Sequence, residues 1–270
     1  MSQKNWLITG AGRGFGHIWA KAALDRGDKV AATARDIGDL GGLQERYGDR
    51  LLAFKLDVTE RAAVFDAIEQ VRHKLGRLDV VISNAGYGQM GAIEEVSIDE
   101  ARANFETNVF GTLNLLQAVL PHLRAQGSGH ILPVSSGGGL ISLATTGIYS
   151  ATKFAVEAIA EALSQEVASL GIKITIIEPG AYRTGFAASA RQSTQNPVYD
   201  EHRQKLAEML APEFFGNPEV TAKAILKIVD CEQPPLRLML GNVLPIIRQI
   251  YGQRIDTWEA WDELAKEAQG

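Results

Sequence analysis

Residues 6–16 read Trp6-Leu7-Ile8-Thr9-Gly10-Ala11-Gly12-Arg13-Gly14-Phe15-Gly16, an apolar run that breaks directly into glycines. The run predicts a strand over Trp6–Thr9, and the apolar spacing after the glycines predicts a helix over Gly14–Arg26. Chain that must turn tightly and press backbone N–H groups against phosphate oxygens needs residues without Cβ. The helix N-terminus beyond adds a partial positive charge suited to an anion. A glycine cluster alone would equally suit a flexible turn. Its place between a first strand and a first helix is what selects the phosphate reading. The spacing, Gly-x-x-x-Gly-x-Gly, differs from the commoner dinucleotide fingerprint.

Outward from this turn, strand and helix patterns alternate. Strands are predicted over Lys29–Ala34, Leu51–Leu56, Leu78–Ser83, Gly129–Ser135 and Ile172–Glu178. Helices are predicted over Asp39–Tyr47, Glu60–Leu75, Ser97–Arg124 and Tyr149–Leu170, the long third one capped by Ser97 or Asp99 and carrying Pro121 near its end. The strands are apolar at nearly every position, the mark of strands covered on both faces. Alternating β and α imply right-handed crossovers, hence an α/β fold with one doubly wound parallel sheet of the Rossmann kind and helices on both faces. No break in composition divides the chain, so residues 1–270 read as one domain.

After Gly180 the pattern loosens. Residues 183–216 hold Pro197, Pro212 and a helical stretch over Asp200–Leu210; a weakly structured insertion of this length reads as a substrate lid. A helix over Pro218–Val229, a strand over Leu236–Leu240 and an amphipathic helix over 255–270 complete the chain. Trp258 and Trp261 share one face of that last helix.

Composition excludes several classes. With 270 residues and a net charge of -5, the chain has no basic patch to attract nucleic acid or an anionic membrane. No stretch approaches the ~18 apolar residues of a membrane span, and no secretory leader is read at Trp6-Leu7-Ile8. The single cysteine, Cys231, rules out an internal disulfide and reads as a buried spectator in a reducing compartment. A soluble cytoplasmic protein is expected, with no metal site.

Strand 2 ends Ala32-Thr33-Ala34-Arg35-Asp36, where a dinucleotide fold meets the adenosine ribose. A carboxylate closing the strand would accept bonds from a free 2′-hydroxyl and repel a 2′-phosphate. Ala34 leaves that end uncharged, and Arg35 with Arg13 could clamp a phosphate dianion, which selects NADP(H). The other reading makes Arg35 solvated surface, with Asp36 capping the next helix or holding the ribose of NAD.

Tyr149-Ser150-Ala151-Thr152-Lys153 places a phenol and an ammonium at i, i+4 on one helix face. A tyrosine with pKa ~10 is a poor proton shuttle at neutral pH; a nearby ammonium favours its phenolate. Such a pair occurs by accident on helix surfaces. Three further features reduce that chance: Ser135-Ser136 closing a strand, Asn108-Val109-Phe110-Gly111 within the long helix, and Ser83-Asn84-Ala85-Gly86 closing another strand.

As a set these residues resemble the short-chain dehydrogenase/reductase family, in its single-domain branch, over roughly Lys4 to Thr184. The resemblance implies that Thr9, Gly10, Arg13, Gly14, Phe15 and Gly16 form the pyrophosphate turn. It implies that Asp57 and Val58 lie near adenine, and that Asn84, Ala85 and Gly86 line the cofactor. Ser136 would orient the substrate oxygen, Tyr149 would be the acid/base, and Lys153 would bind the nicotinamide ribose. Asn108 would hold a water in a proton relay, while Pro179, Gly180 and Thr184 would contact the nicotinamide. Ser83 and Pro133 depart from the pattern, each standing where asparagine is usual; Pro133 also removes a ladder donor, which puts pairing there in doubt.

The implied activity is hydride exchange between NADP(H) and a ketone, aldehyde or alcohol. Gly138, Leu143, Tyr182, Phe186, Met209, Phe214 and Phe215 are candidate walls for a medium-sized hydrophobic substrate, or else ordinary core. An NAD-linked alcohol or hydroxysteroid dehydrogenase shares the same site. A non-catalytic NADP sensor would not need Ser136, Tyr149, Lys153 and Asn108 together. The helix after Tyr149 carries a wide apolar arc through Phe154, Ala155, Ala158, Ile159, Ala162 and Leu163. That arc suits a homodimer or homotetramer, or deep burial in a monomer.

Overall fold

The computed structural model describes residues 3–211 and 215–270. Six parallel strands form the central sheet: β1 (Asn5–Ile8), β2 (Lys29–Ala34), β3 (Leu51–Lys55), β4 (Val80–Ser83), β6 (Gly129–Pro133) and β7 (Ile172–Ile174), while β5 (Gln89–Met90) lies outside it. Their order is β3-β2-β1-β4-β6-β7. The chain winds outward from β1 in both directions, so the order reverses between β1 and β4, and the carboxyl ends there form the crevice where such folds bind ligands.

The all-apolar strands divide their side chains between two cores. On one face Trp6, Ile8, Val30 and Ile82 pack with helices α1 (Gly14–Asp25), α2 (Gly41–Tyr47) and α9 (Thr221–Asp230). On the other, Leu7, Ala31, Val81 and Ile131 pack with α3 (Arg61–Leu75), α5 (Gly111–Gln126) and α6 (Gly147–Glu166). Alternate residues of one strand serve opposite cores, which is why neither face could be polar. The buried indoles keep partners: Trp6 Nε1 donates to Asp28 at 2.8 Å and Trp19 Nε1 to Thr221 at 2.9 Å.

Several elements differ from expectation. The long helix over Ser97–Arg124 is three pieces: α4 (Ile98–Phe105), a π-helical turn over Glu106–Phe110, and α5. Ser97 caps α4 in a capping box with Glu100. The run Ile172–Glu178 divides at Thr175 into β7 and β8 (Ile176–Pro179): β8 keeps only the bridge Val134–Ile177 on the β6 side and takes its ladder from β10 (Arg237–Leu240). Pro133 ends β6, opposite Ser83, and pairing resumes with Val134 N donating to Ser83 O at 2.9 Å. The missing donor thus falls where the strand stops.

Within 183–216 the described residues are more ordered than the composition suggests. They form α7 (Phe186–Ser189), β9 (Arg191–Gln192) and α8 (Asp200–Met209), and β9 pairs with β5. The terminal helix begins well before Ile255, as α10 (Leu244–Ala260), and continues into α11 (Asp262–Glu267). Every residue from Ile255 onward is exposed, so this part has no buried face. Cys231 is half-buried.

Candidate active site

The glycine turn is built by close approach. Gly10 has φ +65°, and a Cβ there would lie 2.9 Å from Ala85 Cα; one at Gly16 would lie 2.5 Å from Gly10 O and 2.6 Å from Asn84 Nδ2. The turn is welded to the end of β4. Thr9 Oγ1 accepts from Asn84 N (3.0 Å) and Ala85 N (3.2 Å), and Asn84 Nδ2 donates to Thr9 O and Gly10 O, both at 3.0 Å. First and fourth strand ends therefore present one continuous backbone ledge. Phe15 stacks on Trp19 with centroids 5.0 Å apart, and Thr184 O lies 3.5 Å from where a Cβ of Gly14 would be.

Along the rest of that edge, Ala34 is buried while Arg13, Arg35 and Asp36 are exposed at the rim. Asp36 Oδ1 accepts from Gly38 N at 2.9 Å, so its carboxylate caps the following turn. Asp39 crosses over Gly12, its Oδ2 2.9 Å from the position of an added Cβ. Asp57 accepts from both Thr59 N and Thr59 Oγ1, which fixes the loop leading to Val58. Gly180 N donates to Leu240 O at 2.9 Å, tying the turn after Pro179 to β10. A dinucleotide fits this cradle: backbone N–H groups, small residues and a helix N-terminus line one wall of a cleft of about 1780 Å³.

The reacting end lies in the same cleft. Ser136 closes the segment after β6 and its Oγ accepts from Gly138 N at 3.0 Å. Tyr149 stands in the first turn of α6, its ring centroid 5.5 Å from Phe186. Lys153, one turn on, donates from Nζ to Val134 O at 2.8 Å and sits 6.0 Å from the tyrosine ring centroid. Burial pushes the Tyr149 phenol up to about 12, with the Ser136 hydroxyl pulling it back; burial pushes Lys153 down to about 8, with Glu157 pulling it up. In the cofactor-free protein the phenol is therefore neutral, and burial outweighs the loosening expected from the ammonium.

Asn108 sits in the π turn rather than in a regular helix. Its Nδ2 donates to Tyr87 O and to Thr152 Oγ1, both at 3.0 Å, and its Oδ1 accepts from Tyr87 N at 3.0 Å. The amide thus braces the loop after β4 against α6. Ser83, standing where asparagine was expected, donates to Thr112 Oγ1 at 3.2 Å.

Of the proposed substrate walls, Gly138, Leu143, Tyr182, Phe186, Met209 and Phe215 border the cleft. Phe214, like Pro212, lies outside the described residues. Ile141, Val243, Ile246 and Ile247 also line it and were not anticipated. The last three belong to α10 or its cap, and only the apolar pair Ile246-Ile247 after Pro245 could have signalled that helix. Among the described residues no cluster of His, Cys, Asp or Glu could hold a metal, and no helix is long and apolar enough to cross a membrane.

The pattern of short chain dehydrogenases matches residues 4–195. Two relatives match over most of their length. An oxidoreductase (BOA17) of Botryotinia fuckeliana is 40% identical over 269 residues, covering 98% of this chain and 97% of that one. A 3-ketodihydrosphingosine reductase of Bacteroides thetaiotaomicron is 37% identical over 246 residues, 89% of each. A solved short-chain dehydrogenase from Streptomyces avermitilis superposes with a TM-score of 0.93 at 39% identity, covering 99% of this chain and 98% of that one.

Proposed function

The chain belongs to the short-chain dehydrogenase family, an oxidoreductase family that uses a nicotinamide cofactor, and on that premise we propose that it reduces a hydrophobic ketone or aldehyde, or oxidises the corresponding alcohol, with NADP(H). The observation that carries the proposal is the convergence of Ser136, Tyr149 and Lys153 in the cleft that also holds the glycine turn.

When bound, the nicotinamide donates or accepts the hydride. The residues of the chain do the rest. The Ser136 and Tyr149 hydroxyls hold the substrate oxygen and stabilise the charge that grows on it. Tyr149 passes its proton to that oxygen in reduction, or takes one in oxidation, and Lys153 favours the phenolate as the proton leaves. Thr9, Gly10, Gly14, Gly16 and Asn84 shape the phosphate ledge. Asp57 and Val58 would lie near the adenine, Ala85 and Gly86 would line the cofactor, and Pro179, Gly180 and Thr184 would contact the nicotinamide. Asn108 braces the loop that carries Gly86.

Arg13 and Arg35 at the rim support NADP(H), since two guanidiniums can share a 2′-phosphate. Asp36 and Asp39 at the same rim favour NAD(H) as the second reading. An apolar lining from Ile141, Leu143, Phe186, Ile246 and Ile247 supports a substrate with a sizeable hydrocarbon part, delivered under a lid formed by residues 183–216.

Replacing Tyr149 with Phe is expected to lower turnover at least ~100-fold, the scale of acid catalysis, while cofactor affinity stays within about twofold. Stopped-flow NADPH oxidation with a panel of apolar ketones, alongside fluorescence titration of NADPH, measures both. A Tyr149→Phe variant with near-normal turnover overturns the mechanism.

A further inference from the structure

On α6 the residues Tyr149, Lys153, Glu157 and Glu161 follow one another at intervals of four, a phenol, an ammonium and two carboxylates along one helix face. The first two face the cleft. Glu157 is buried behind them, and beside it lies Glu178 of β8, also buried. A Cβ added to Gly139 would meet Ser135 Oγ, and would lie 3.1 Å from Lys153 O and 3.2 Å from Glu157 Cγ, so these groups converge on the turn that follows Ser136.

One guanidinium serves this acidic cluster. Arg237 Nε lies 3.3 Å from Glu157 Oε2 and 3.3 Å from Glu178 Oε1, and its Nη2 donates to Glu161 Oε2 at 2.6 Å. Three carboxylates share one fixed positive charge; Glu178 Oε1 meets Arg237 only at the long ion-pair distance just given, and Glu157 Oε1 has no partner besides the neighbouring Ser135 hydroxyl. Burying carboxylates with so little compensation is costly unless another cation is near. The nearest along the helix face is Lys153, whose own desolvation works against its charge. Its Nζ otherwise meets neutral groups, donating to the Val134 carbonyl at 2.8 Å and standing 6.0 Å from the Tyr149 ring centroid.

We propose that Glu157, backed by Glu178 and tethered by Arg237, is the counter-charge that keeps Lys153 protonated and in place beside Tyr149, and is thus a positioning residue for proton transfer. This rests on the reductase reading given above. Burial also pushes the Glu157 carboxyl upward and Glu178 up to about 7, so near neutrality the pair holds part of a proton and its charge grows as pH rises. That growth coincides with the range in which Lys153 would otherwise lose its proton.

The test replaces Glu157 with Gln, and separately with Met, which fills the same space with no polar demand should the amide variant fold poorly. A carboxylate about one helical turn away, at an effective dielectric of ~20, shifts a neighbouring ammonium by about one pH unit or more. The 13Cε resonance of Lys153, assigned by its loss in Lys153→Met, is titrated in cofactor-free protein. Its midpoint is expected near pH 8 in the unsubstituted protein, about one unit lower in Glu157→Gln or Glu157→Met, and within a few tenths of normal in Glu157→Asp. The alkaline limb of kcat for ketone reduction should move with it while KM stays within about twofold. An unmoved midpoint in both neutral variants, or an equal shift in Glu157→Asp, overturns the assignment. Failure of the reductase reading looks different: the unsubstituted protein would not oxidise NADPH with any ketone, while the lysine titration would still respond to Glu157.

Discussion

At the residue scale, much of the candidate site declares itself because the chemistry of the parts is local. Gly10 and Gly16 mark places where a Cβ has no room, and that need is written in the letters themselves. Tyr149 and Lys153 announce their shared face through a spacing of four. What the letters do not carry is the state of those groups. Burial, a property of the assembled cleft, raises the phenol and lowers the ammonium, and Glu157 becomes visible as the lysine's neighbour only when α6 is seen to turn its charged stripe inward. The rim of the ribose site is a further residue-scale question. Arg35 is exposed, and a charge-assisted bond to a phosphate contributes about 1.5–3 kcal/mol. Arg35→Ala is accordingly expected to weaken NADPH at least ~10-fold and to leave NADH within about twofold. Equal weakening of both cofactors, by fluorescence titration, would show that Arg35 does not read the phosphate.

At the scale of elements, the six sheet strands were legible as apolar runs, since both faces are covered and no register can hide a polar residue. The failures have physical causes. The π turn at Asn108 differs from its flanking helices only in hydrogen-bond pattern, which leaves no trace in composition. Strands β5 and β9 have two residues each, too short for any alternation to register. Those short strands also explain why the insertion is not a loose flap. Ser193 N donates to Met90 O, Asn196 N to Glu95 Oε1, and Arg203 Nη1 to both Glu95 oxygens at 2.7 and 3.1 Å. The Glu95 side chain is only 2% exposed, and its backbone and guanidinium partners hold its carboxyl below the usual range. The far end of α8, with Leu206 and Met209 at the cleft, is thus hung from an anchored hinge. Arg203→Met should free it. Amide exchange over residues 196–206 is expected to quicken ~10-fold or more, and KM for an apolar ketone to rise several-fold with kcat changing less than twofold. Unchanged exchange would mean that the ion pair does not secure this segment.

For the whole molecule, the distribution of apolar surface points to association. The apolar arc of α6 suits association or deep burial in a monomer, and it is divided: Phe154, Ala158 and Ala162 face out, while Leu163 is buried, as are Lys153 and Glu157 of the charged stripe. Phe154 is 37% exposed, and on the neighbouring helices Phe110 and Ile98 border a shallow groove and are more exposed still. Apolar residues scattered singly need no explanation, but here they gather on adjacent helices. A specific dimer buries about 800 Å² from each partner, which two such helices can supply. Trp258 and Trp261, 67% and 64% exposed, form a second and separate apolar surface on the terminal helix. Two independent surfaces are what a tetramer requires, and one is enough for a dimer. The expected result is a dimer or tetramer at ~10 µM by light scattering coupled to size exclusion. Phe110→Asp with Phe154→Asp should abolish the helical interface by placing charges in it, leaving monomers or terminal-helix dimers. Trp258→Ser with Trp261→Ser should halve a tetramer and leave a helical dimer intact. A monomeric unsubstituted protein at that concentration would sink the idea. So would a dimer indifferent to all four substitutions, because it would place the interface on neither surface.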